Sequence, residues 1–194
     1  KQYSASTNKA VYRTALDLNE TETNSITVNN NTEDLIYVRL VRQGVPEKGS
    51  EQAAESNIRM DVRYTYLNGN ALNPNRIIQG TDILATVKLR NISNISAMQN
   101  VALTQIFPSG WEIINQRLYA AELGEQAYYE YQDIRDDRVM TYFTLYKGNE
   151  YVFKFLLNAS FPGKYYLPAV AVETMYDGSN YSRTKGQWVE VTKN

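Results

Sequence analysis

Hydrophobic and polar side chains alternate with a period of two along most of this chain. Residues 58–66 read IRMDVRYTY, which places apolar and polar side chains on opposite faces of an extended strand. The same alternation returns in residues 83–90 and 151–158. Further runs rich in β-branched and aromatic residues lie at 25–28, 35–42, 101–106, 139–146, 168–176 and 187–191. The pattern predicts many short β-strands.

Turn-forming dipeptides separate these predicted strands. They are Asn68-Gly69, Ser109-Gly110, Lys147-Gly148, Pro162-Gly163 and Asp177-Gly178. Glycine adopts positive φ at little cost, so such pairs suit tight hairpins. The best helical candidate, residues 118–126, offers only two turns before Gly124 ends it. Short strands joined by turns, with almost no helix, predict an all-β fold with an antiparallel β-sandwich.

A polar segment interrupts the strand rhythm and divides the chain. Residues 44–56 read GVPEKGSEQAAES, a composition typical of a connection between two β units. The three strand candidates before it are too few to bury a core alone. We therefore expect residues 1–45 to form part of a β domain, residues 46–56 a linker, and residues 57–194 a complete two-sheet sandwich.

Composition removes many classes of chemistry. The 194 residues include no Cys and no His, so disulfides, Cys/His zinc sites and Ser-His-Asp triads are impossible within this chain. Lys and Arg number 20 against 21 Asp and Glu, which argues against nucleic acid as a partner. No apolar run approaches the roughly 20 residues of a membrane-spanning helix. Because the chain begins at Lys1 without a signal-peptide pattern, we expect a piece of a longer protein.

A cluster of three aspartates and one isolated glutamate are candidates for a site. Asp133, Asp136 and Asp137 could bind Ca²⁺ or supply a carboxylate pair, but a hairpin turn neutralised by Arg135 and Arg138 explains them better. Glu173 lies in the otherwise apolar run 169–175, where an inward carboxylate would need a partner such as Arg135 or Arg183. We favour structural roles for both groups and predict no catalytic, cofactor or metal site.

The 16 tyrosines and two tryptophans suggest a platform for sugar rings. Most of these tyrosines take the apolar parity of predicted strands, which favours core or interface positions. Four aromatic residues resist placement inside the fold, namely Trp111, Tyr128, Tyr129 and Tyr131. A carbohydrate-binding or adhesin-type β-sandwich module therefore stands as the alternative function.

Several motifs in a fixed order resemble bacterial α2-macroglobulins. They begin with LIYVRLVRQGVP at 35–46, MDVRY at 60–64 and QGTD at 79–82. FPSGWE at 107–112 is similar to the family's Leu-Pro-x-Gly-Phe-Glu element, and DIRDDR follows at 133–138. The most specific motifs are FPGKY at 161–165, LPA at 167–169 and VETMYD at 172–177. Together they span about residues 12 to 191.

This resemblance implies the second half of a CUB-like domain in residues 1–45 and the last macroglobulin-like domain in residues 57–194. Members of the family trap proteases: a bait segment is cleaved, the molecule rearranges and the protease is caged. The thioester motif of some members needs a Cys, which this piece lacks. The resemblance therefore implies a module that is not an enzyme and uses no cofactor.

Such a module would pack against the upstream reactive domain of its parent and position it. Its partners would be the upstream domains of that parent and, through the whole parent, target proteases. The parent would be a broad-spectrum endopeptidase inhibitor, periplasmic or anchored to the envelope.

Overall fold

The computed structural model describes residues 10–15, 27–31, 33–41, 49, 51–114 and 123–193. The chain divides into two units, Lys1–Gln43 and Gly44–Asn194. No described residue of the first unit lies in a strand, so the strands predicted at 25–28 and 35–42 are wrong for the residues described there. A β-branched run becomes a strand only where a neighbouring strand accepts its backbone hydrogen bonds.

Large apolar side chains of the first unit remain exposed. Leu35 is 77% exposed, Tyr37 90% and Leu40 71%. Val11, Tyr12 and Val28 also present about half or more of their surface to solvent. The described part of this unit therefore carries an apolar surface without a partner inside it.

The described residues of the second unit form thirteen β-strands. Their bounds are β1 (Ala54–Ser56), β2 (Ile58–Thr65), β3 (Ile77–Ile78), β4 (Asp82–Asn91), β5 (Ala97–Ile106), β6 (Glu112–Ile113), β7 (Tyr131–Ile134), β8 (Arg138–Tyr146), β9 (Glu150–Asn158), β10 (Gly163–Leu167), β11 (Ala171–Thr174), β12 (Tyr181–Arg183) and β13 (Gln187–Thr192). The helix predicted at 118–126 lies outside the described residues from 118 to 122, and residues 124–126 are not helical.

The strands form three sheets. A six-stranded sheet has the order β1-β12-β11-β5-β8-β7, a four-stranded sheet the order β2-β4-β9-β6, and a three-stranded sheet the order β10-β13-β3. Pairing is antiparallel in every sheet except between β13 and β3, which run parallel. The predicted all-β, antiparallel sandwich is confirmed.

The core lies where the six-stranded and four-stranded sheets pack together. Along β4 the odd-numbered residues are buried and the even-numbered residues are partly or fully exposed. Ile83, Ala85 and Val87 therefore point into the core. Phe143 on β8 and Phe153 on β9 join the two sheets, with ring centroids 4.9 Å apart. Burial of such rings is the main source of stability in a sandwich of this kind.

Candidate functional site

The acidic group at 133–137 occupies the hairpin between β7 and β8. Arg135 Nε donates to Asp133 Oδ2 at 2.9 Å, and Arg138 Nη2 donates to Asp137 Oδ2 at 2.7 Å. The hydrogen bond from Arg138 holds the pKa of Asp137 below its usual range. Among the described residues, no group of three or more acidic side chains is arranged to hold a metal ion.

Glu173 does not point into the core, so the predicted inward ion pair is wrong. On β11, Val172 and Thr174 are buried, whereas Glu173 is exposed on the outer face of the sheet. Alanine is common on both faces of a strand, so the sequence of residues 169–175 does not show which of its residues face the core. Glu173 has no ion-pair partner among the described residues, and Arg183 Nε donates instead to the Gln52 carbonyl at 3.1 Å.

The four aromatic residues of the proposed sugar platform do not share one surface character. Trp111 is only 2% exposed and packs edge-on against Tyr64, with ring centroids 5.9 Å apart. The expectation that Trp111 lies outside the core is therefore wrong. Tyr128, Tyr129 and Tyr131 remain exposed at 81%, 40% and 61%. Tyr131 stacks on Tyr142, with ring centroids 5.9 Å apart.

The turn between β11 and β12 presents two large apolar side chains to solvent. Met175 is 52% exposed and Tyr176 84% exposed. Both follow directly on the buried Thr174, so the chain leaves the core just before them. We call this segment, Met175 to Asn180, the Met175 turn.

Polar side chains hold the Met175 turn in one conformation. Asp177 Oδ1 accepts hydrogen bonds from the backbone N–H and hydroxyl of Ser179 at 3.0 and 2.6 Å. Asp177 Oδ2 accepts from Asn180 Nδ2 at 2.8 Å, and Met175 N donates to the Asn100 carbonyl at 3.0 Å. Asn57 Nδ2 donates to Asn180 Oδ1 at 3.0 Å, which ties the turn to the start of β2. The two exposed side chains therefore project from a fixed support.

Acid should loosen the Met175 turn. Hydrogen bonds from the Ser179 hydroxyl, the Ser179 N–H and Asn180 hold the pKa of Asp177 below its usual value. A depressed carboxyl pKa stabilises the folded state at neutral pH, and that stability is lost as the pH falls below about 4. Between pH 7 and pH 3, we expect the melting temperature of the Asp177→Asn variant to fall less than that of the unsubstituted chain.

Asp136→Asn is the matched control, because Asp136 lies in a turn and has no ion-pair partner among the described residues. Melting curves of all three proteins at both pH values make the comparison. If the melting temperature of Asp177→Asn fell as much as that of the unsubstituted chain, the stabilising role of the Asp177 carboxylate would be contradicted.

A second feature is an open cleft at one end of the sandwich. It has a volume of about 300 Å³ and lies between the end of β2, the loop after it, the end of β10 and the β12–β13 loop. Tyr64 and Lys185 are among the residues that line it. Burial raises the pKa of the Tyr64 phenol well above its usual range, so this hydroxyl remains a neutral donor.

The sequence matches the protein family described as the bacterial alpha-2-macroglobulin MG10 domain over residues 50–178. This chain belongs to that family. The matched range contains β1 to β11 and most of the Met175 turn. The resemblance inferred from the ordered motifs is confirmed.

Individual relatives agree with the family match. Alpha-2-macroglobulin of Pasteurella multocida is 28% identical over 160 residues, which cover 81% of this chain and 8% of that protein. Alpha-2-macroglobulin of Escherichia coli, solved from domain MG7 to the C-terminus, superposes with a TM-score of 0.66 at 17% identity, over 74% of this chain and 24% of that one. A cryo-EM reconstruction of native E. coli alpha-2-macroglobulin gives a TM-score of 0.66 at 16% identity, over 77% of this chain and 10% of that one.

The chain thus spans less than a tenth of the length of the Pasteurella relative. The structural likeness at these identities concerns the macroglobulin fold. Within the described ranges, no helix has the length and apolar character needed to cross a membrane.

Two features of this MG10-family chain escaped prediction from its sequence. Met175 and Tyr176 fall in a run assigned to a strand, and only the abrupt Asp177-Gly178 pair hinted that the run ends early. The cleft joins segments more than a hundred residues apart, from Tyr64 to Lys185. Neither residue carries a local signal for a binding site.

Proposed function

We propose that this chain is the non-catalytic C-terminal module of a bacterial α2-macroglobulin-like, broad-spectrum endopeptidase inhibitor that traps proteases. In this proposal residues 1–45 form the second half of a CUB-like domain, residues 46–56 a linker whose last three residues form β1, and residues 57–194 the last macroglobulin-like domain. The module packs against the upstream reactive domain of the parent protein and positions it. Membership of the MG10 family supports the proposal.

The observation that carries the positioning role is the Met175 turn. Exposing a methionine and a tyrosine side by side is unfavourable unless another surface covers them. The hydrogen bonds of Asp177, Asn180 and Asn57 fix the turn, so little conformational entropy is lost when a partner docks. A rigid apolar projection of this kind suits a contact between domains that must hold one geometry.

The exposed apolar side chains of the first unit support the same role. Leu35, Tyr37 and Leu40 lie within six residues of one another and are all more than two-thirds exposed. A surface of this character is typical of a contact with another domain. We propose that upstream domains of the parent cover it.

Composition supports a module without chemistry of its own. The chain has no Cys for a thioester or thiolate and no His for proton transfer. Asp133 and Asp137 are paired with the neighbouring Arg135 and Arg138 rather than facing each other across a cleft. We propose that the parent protein lies in the periplasm or at the envelope, where an endopeptidase inhibitor would meet its targets.

The test uses the full-length parent. The parent is mixed with an endopeptidase and then given a large protein substrate and a small peptide substrate in parallel. We expect cleavage of the large substrate to stop while the small peptide is still cut, because a caged protease excludes only large molecules. Free cleavage of both substrates by several classes of protease would contradict the proposal.

Truncating the exposed pair should weaken this trap. An aromatic side chain buried at an interface is commonly worth about 2 kcal/mol, so the double variant Met175→Ser/Tyr176→Ser should weaken the domain contact by roughly tenfold or more. We expect the parent carrying it to protect the large substrate less completely, while the isolated chain melts as before.

Tyr128→Ser serves as the control, since Tyr128 is 81% exposed and lies outside the Met175 turn. Full protection by the double variant, equal to that of Tyr128→Ser, would show that the turn makes no contact in the trap.

The alternative, a carbohydrate-binding or adhesin-type module, now depends on Tyr128, Tyr129 and Tyr131 alone. Because Trp111 is buried, the platform lacks the flat indole that would best stack on a sugar. If the parent traps no protease, a glycan array is the next experiment.

A further inference from the structure

We propose that the cleft lined by Tyr64 and Lys185 is a binding site for a carboxylate attached to an apolar group. This site is independent of the trapping role. The cleft encloses about 300 Å³ and opens to solvent on one side. That volume is at the lower end of the range for small-molecule sites, so it suits a single side chain or a small acid.

Part of the cleft wall is apolar. It consists of Val62, Leu72, Pro74, Leu167 and Pro168. Of these, Leu72 and Leu167 are buried against the core, at 7% and 3% exposure. An aliphatic or aromatic group placed against these residues would lose part of its contact with water, and burial of apolar surface is the main source of affinity in such sites.

The polar side chains that line the cleft are those of Tyr64, Thr184, Lys185 and Gln187, and each of them can donate a hydrogen bond. The side chains of Tyr64, Lys185 and Gln187 have no hydrogen-bond or ion-pair partner among the described residues. The Tyr64 phenol is the most telling of these, because its partly buried ring packs against the core and meets Trp111 edge-on. A half-buried hydroxyl without a partner is normally occupied by water or a ligand.

Lys185 gives the cleft its charge preference. It is the one cation among the described residues that line the cleft, and none of these residues is a carboxylate. A ligand carboxylate could accept hydrogen bonds from the ammonium, and charge-assisted bonds of this type are stronger than neutral ones. An amine in the same place would meet like charge, so the site should select acids over amines.

The loop that carries Lys185 is held on both sides. Before it, Thr184 N donates to the Val170 carbonyl at 3.0 Å, and Val170 N donates to the Thr184 hydroxyl at 2.9 Å. After it, a Cβ on Gly186 would come within 2.7 Å of the Tyr166 ring carbon Cζ and closer still to the Tyr166 hydroxyl. Gly186 thus lets the loop pass directly beneath Tyr166, which itself binds Gly49 and Glu51.

The opposite wall is equally fixed. Leu72 N donates to the Tyr64 carbonyl at 3.0 Å, so the loop after β2 folds back onto the strand. Asn73 Oδ1 accepts from Asn75 N at 3.0 Å and makes a turn around Pro74. Glu190 N donates to the Asn75 carbonyl at 3.1 Å, which fastens this loop to β13. A site whose walls are preorganised loses little free energy to ordering on binding.

The test is a titration of the 194-residue chain with three compounds that share one apolar body. They are 3-phenylpropionate, 3-phenylpropanamide and 3-phenylpropylamine, followed by ¹H–¹⁵N NMR. We expect the acid to bind with a dissociation constant of about 1 mM and to shift the amide signals of Leu72, Lys185 and Gln187. The neutral amide should bind roughly fivefold more weakly and the amine more weakly again.

Two variants assign the preference to named groups. Lys185→Gln should abolish the fivefold preference for the acid over the amide, and Tyr64→Phe should weaken binding of both while keeping the ring in place. Lys164→Gln is the matched control, because Lys164 Nζ lies over the Trp188 ring, 5.6 Å from its centroid, and does not line the cleft. It should leave all three affinities unchanged.

The proposal is overturned by either of two outcomes. One is equal binding of acid, amide and amine, which would show a nonselective apolar surface. The other is no shift of the cleft signals at about 10 mM acid, well above the expected dissociation constant. Melting curves of each variant test whether the chain remains folded. If a folded variant binds more weakly, the weaker binding reports the loss of a contact between the substituted side chain and the compound.

The carboxylate could come from a small acid or from the end of a polypeptide. A tripeptide ending in phenylalanine with a free carboxylate, compared with the same peptide amidated, separates these sources. Tighter binding of the free peptide than of 3-phenylpropionate would assign the site to a chain terminus, and the reverse order would assign it to a small molecule. In both cases the compound with the free carboxylate must bind more tightly than the corresponding amide.

Discussion

Gly110→Ala should destabilise the second unit by about 3 kcal/mol, at the upper end of the effect of overpacking a core. A Cβ built on Gly110 would lie 2.6 Å from Cζ and 2.7 Å from Cδ2 of the Tyr165 ring, and nearer still to Cε2. These separations are far inside van der Waals contact. Either the ring or the backbone must therefore move to admit one methyl group.

Neither can move cheaply. The Tyr165 hydroxyl donates to the Pro162 carbonyl at 3.1 Å, and the ring packs against the core. On the other side, Trp111 N donates to the Pro108 carbonyl at 2.9 Å and Phe161 N donates to the Gly110 carbonyl at 3.1 Å. The strain is consequently shared between a fixed turn and a fixed ring, which is the situation in which overpacking costs most.

Urea unfolding of Gly110→Ala and Gly178→Ala measures the effect against a matched control. Gly178 has open space around its missing Cβ and does not have positive φ, so alanine should be accepted there within about 0.5 kcal/mol. Equal unfolding midpoints for the two variants would contradict the close contact. Addition of Tyr165→Ala to Gly110→Ala should relieve the clash, so the two substitutions should not be additive.

Gly110 also shows where prediction from the sequence ends. The Ser109-Gly110 pair predicts a turn that needs the conformational freedom of glycine, and a turn is present. However, Gly110 has no positive φ, and the requirement comes from a ring 55 residues away in the chain. Local pattern finds the turn, while only the folded contacts explain why alanine is excluded.

The strands divide in the same way. The long, alternating strands β2, β4, β8 and β9 were predictable, because each buries one face over eight to ten residues. The short strands β3, β6 and β12 have two or three residues and exist only through their neighbours in a sheet. A period of two cannot be recognised over so few positions, so these strands required the structure.

The candidate sites were less predictable than the fold. The sequence pattern places Glu173 on the wrong face of its strand, because alanine at 169 and 171 does not show which face is buried. No alternating pattern places Trp111 inside the fold, yet the next residue begins β6, which pairs with β9. The Tyr64–Lys185 cleft depends on long-range packing, which a single sequence does not encode in any local pattern.

Trp111→Ala should have the largest effect of any substitution argued here, a loss of about 3 to 5 kcal/mol. The indole is 2% exposed and meets Tyr64 edge-on, so truncation leaves a large cavity beside the phenol. Its Nε1 has no hydrogen-bond partner among the described residues, so burial of this N–H lowers stability. Trp111→Phe, which keeps a ring and removes that buried N–H, should therefore cost less than about 2 kcal/mol.

Trp188 provides the control, because it is the other tryptophan and is 49% exposed. Trp188→Ala removes an edge-on contact with Tyr166 on the outer face of the three-stranded sheet, and should cost about 1 kcal/mol. Unfolding followed by far-ultraviolet circular dichroism compares the variants without depending on tryptophan fluorescence. A Trp111→Ala variant as stable as Trp188→Ala would mean that the indole is not part of the core. Since Tyr64 also lines the cleft, the same loss of packing should weaken 3-phenylpropionate binding in Trp111→Ala but not in Trp188→Ala.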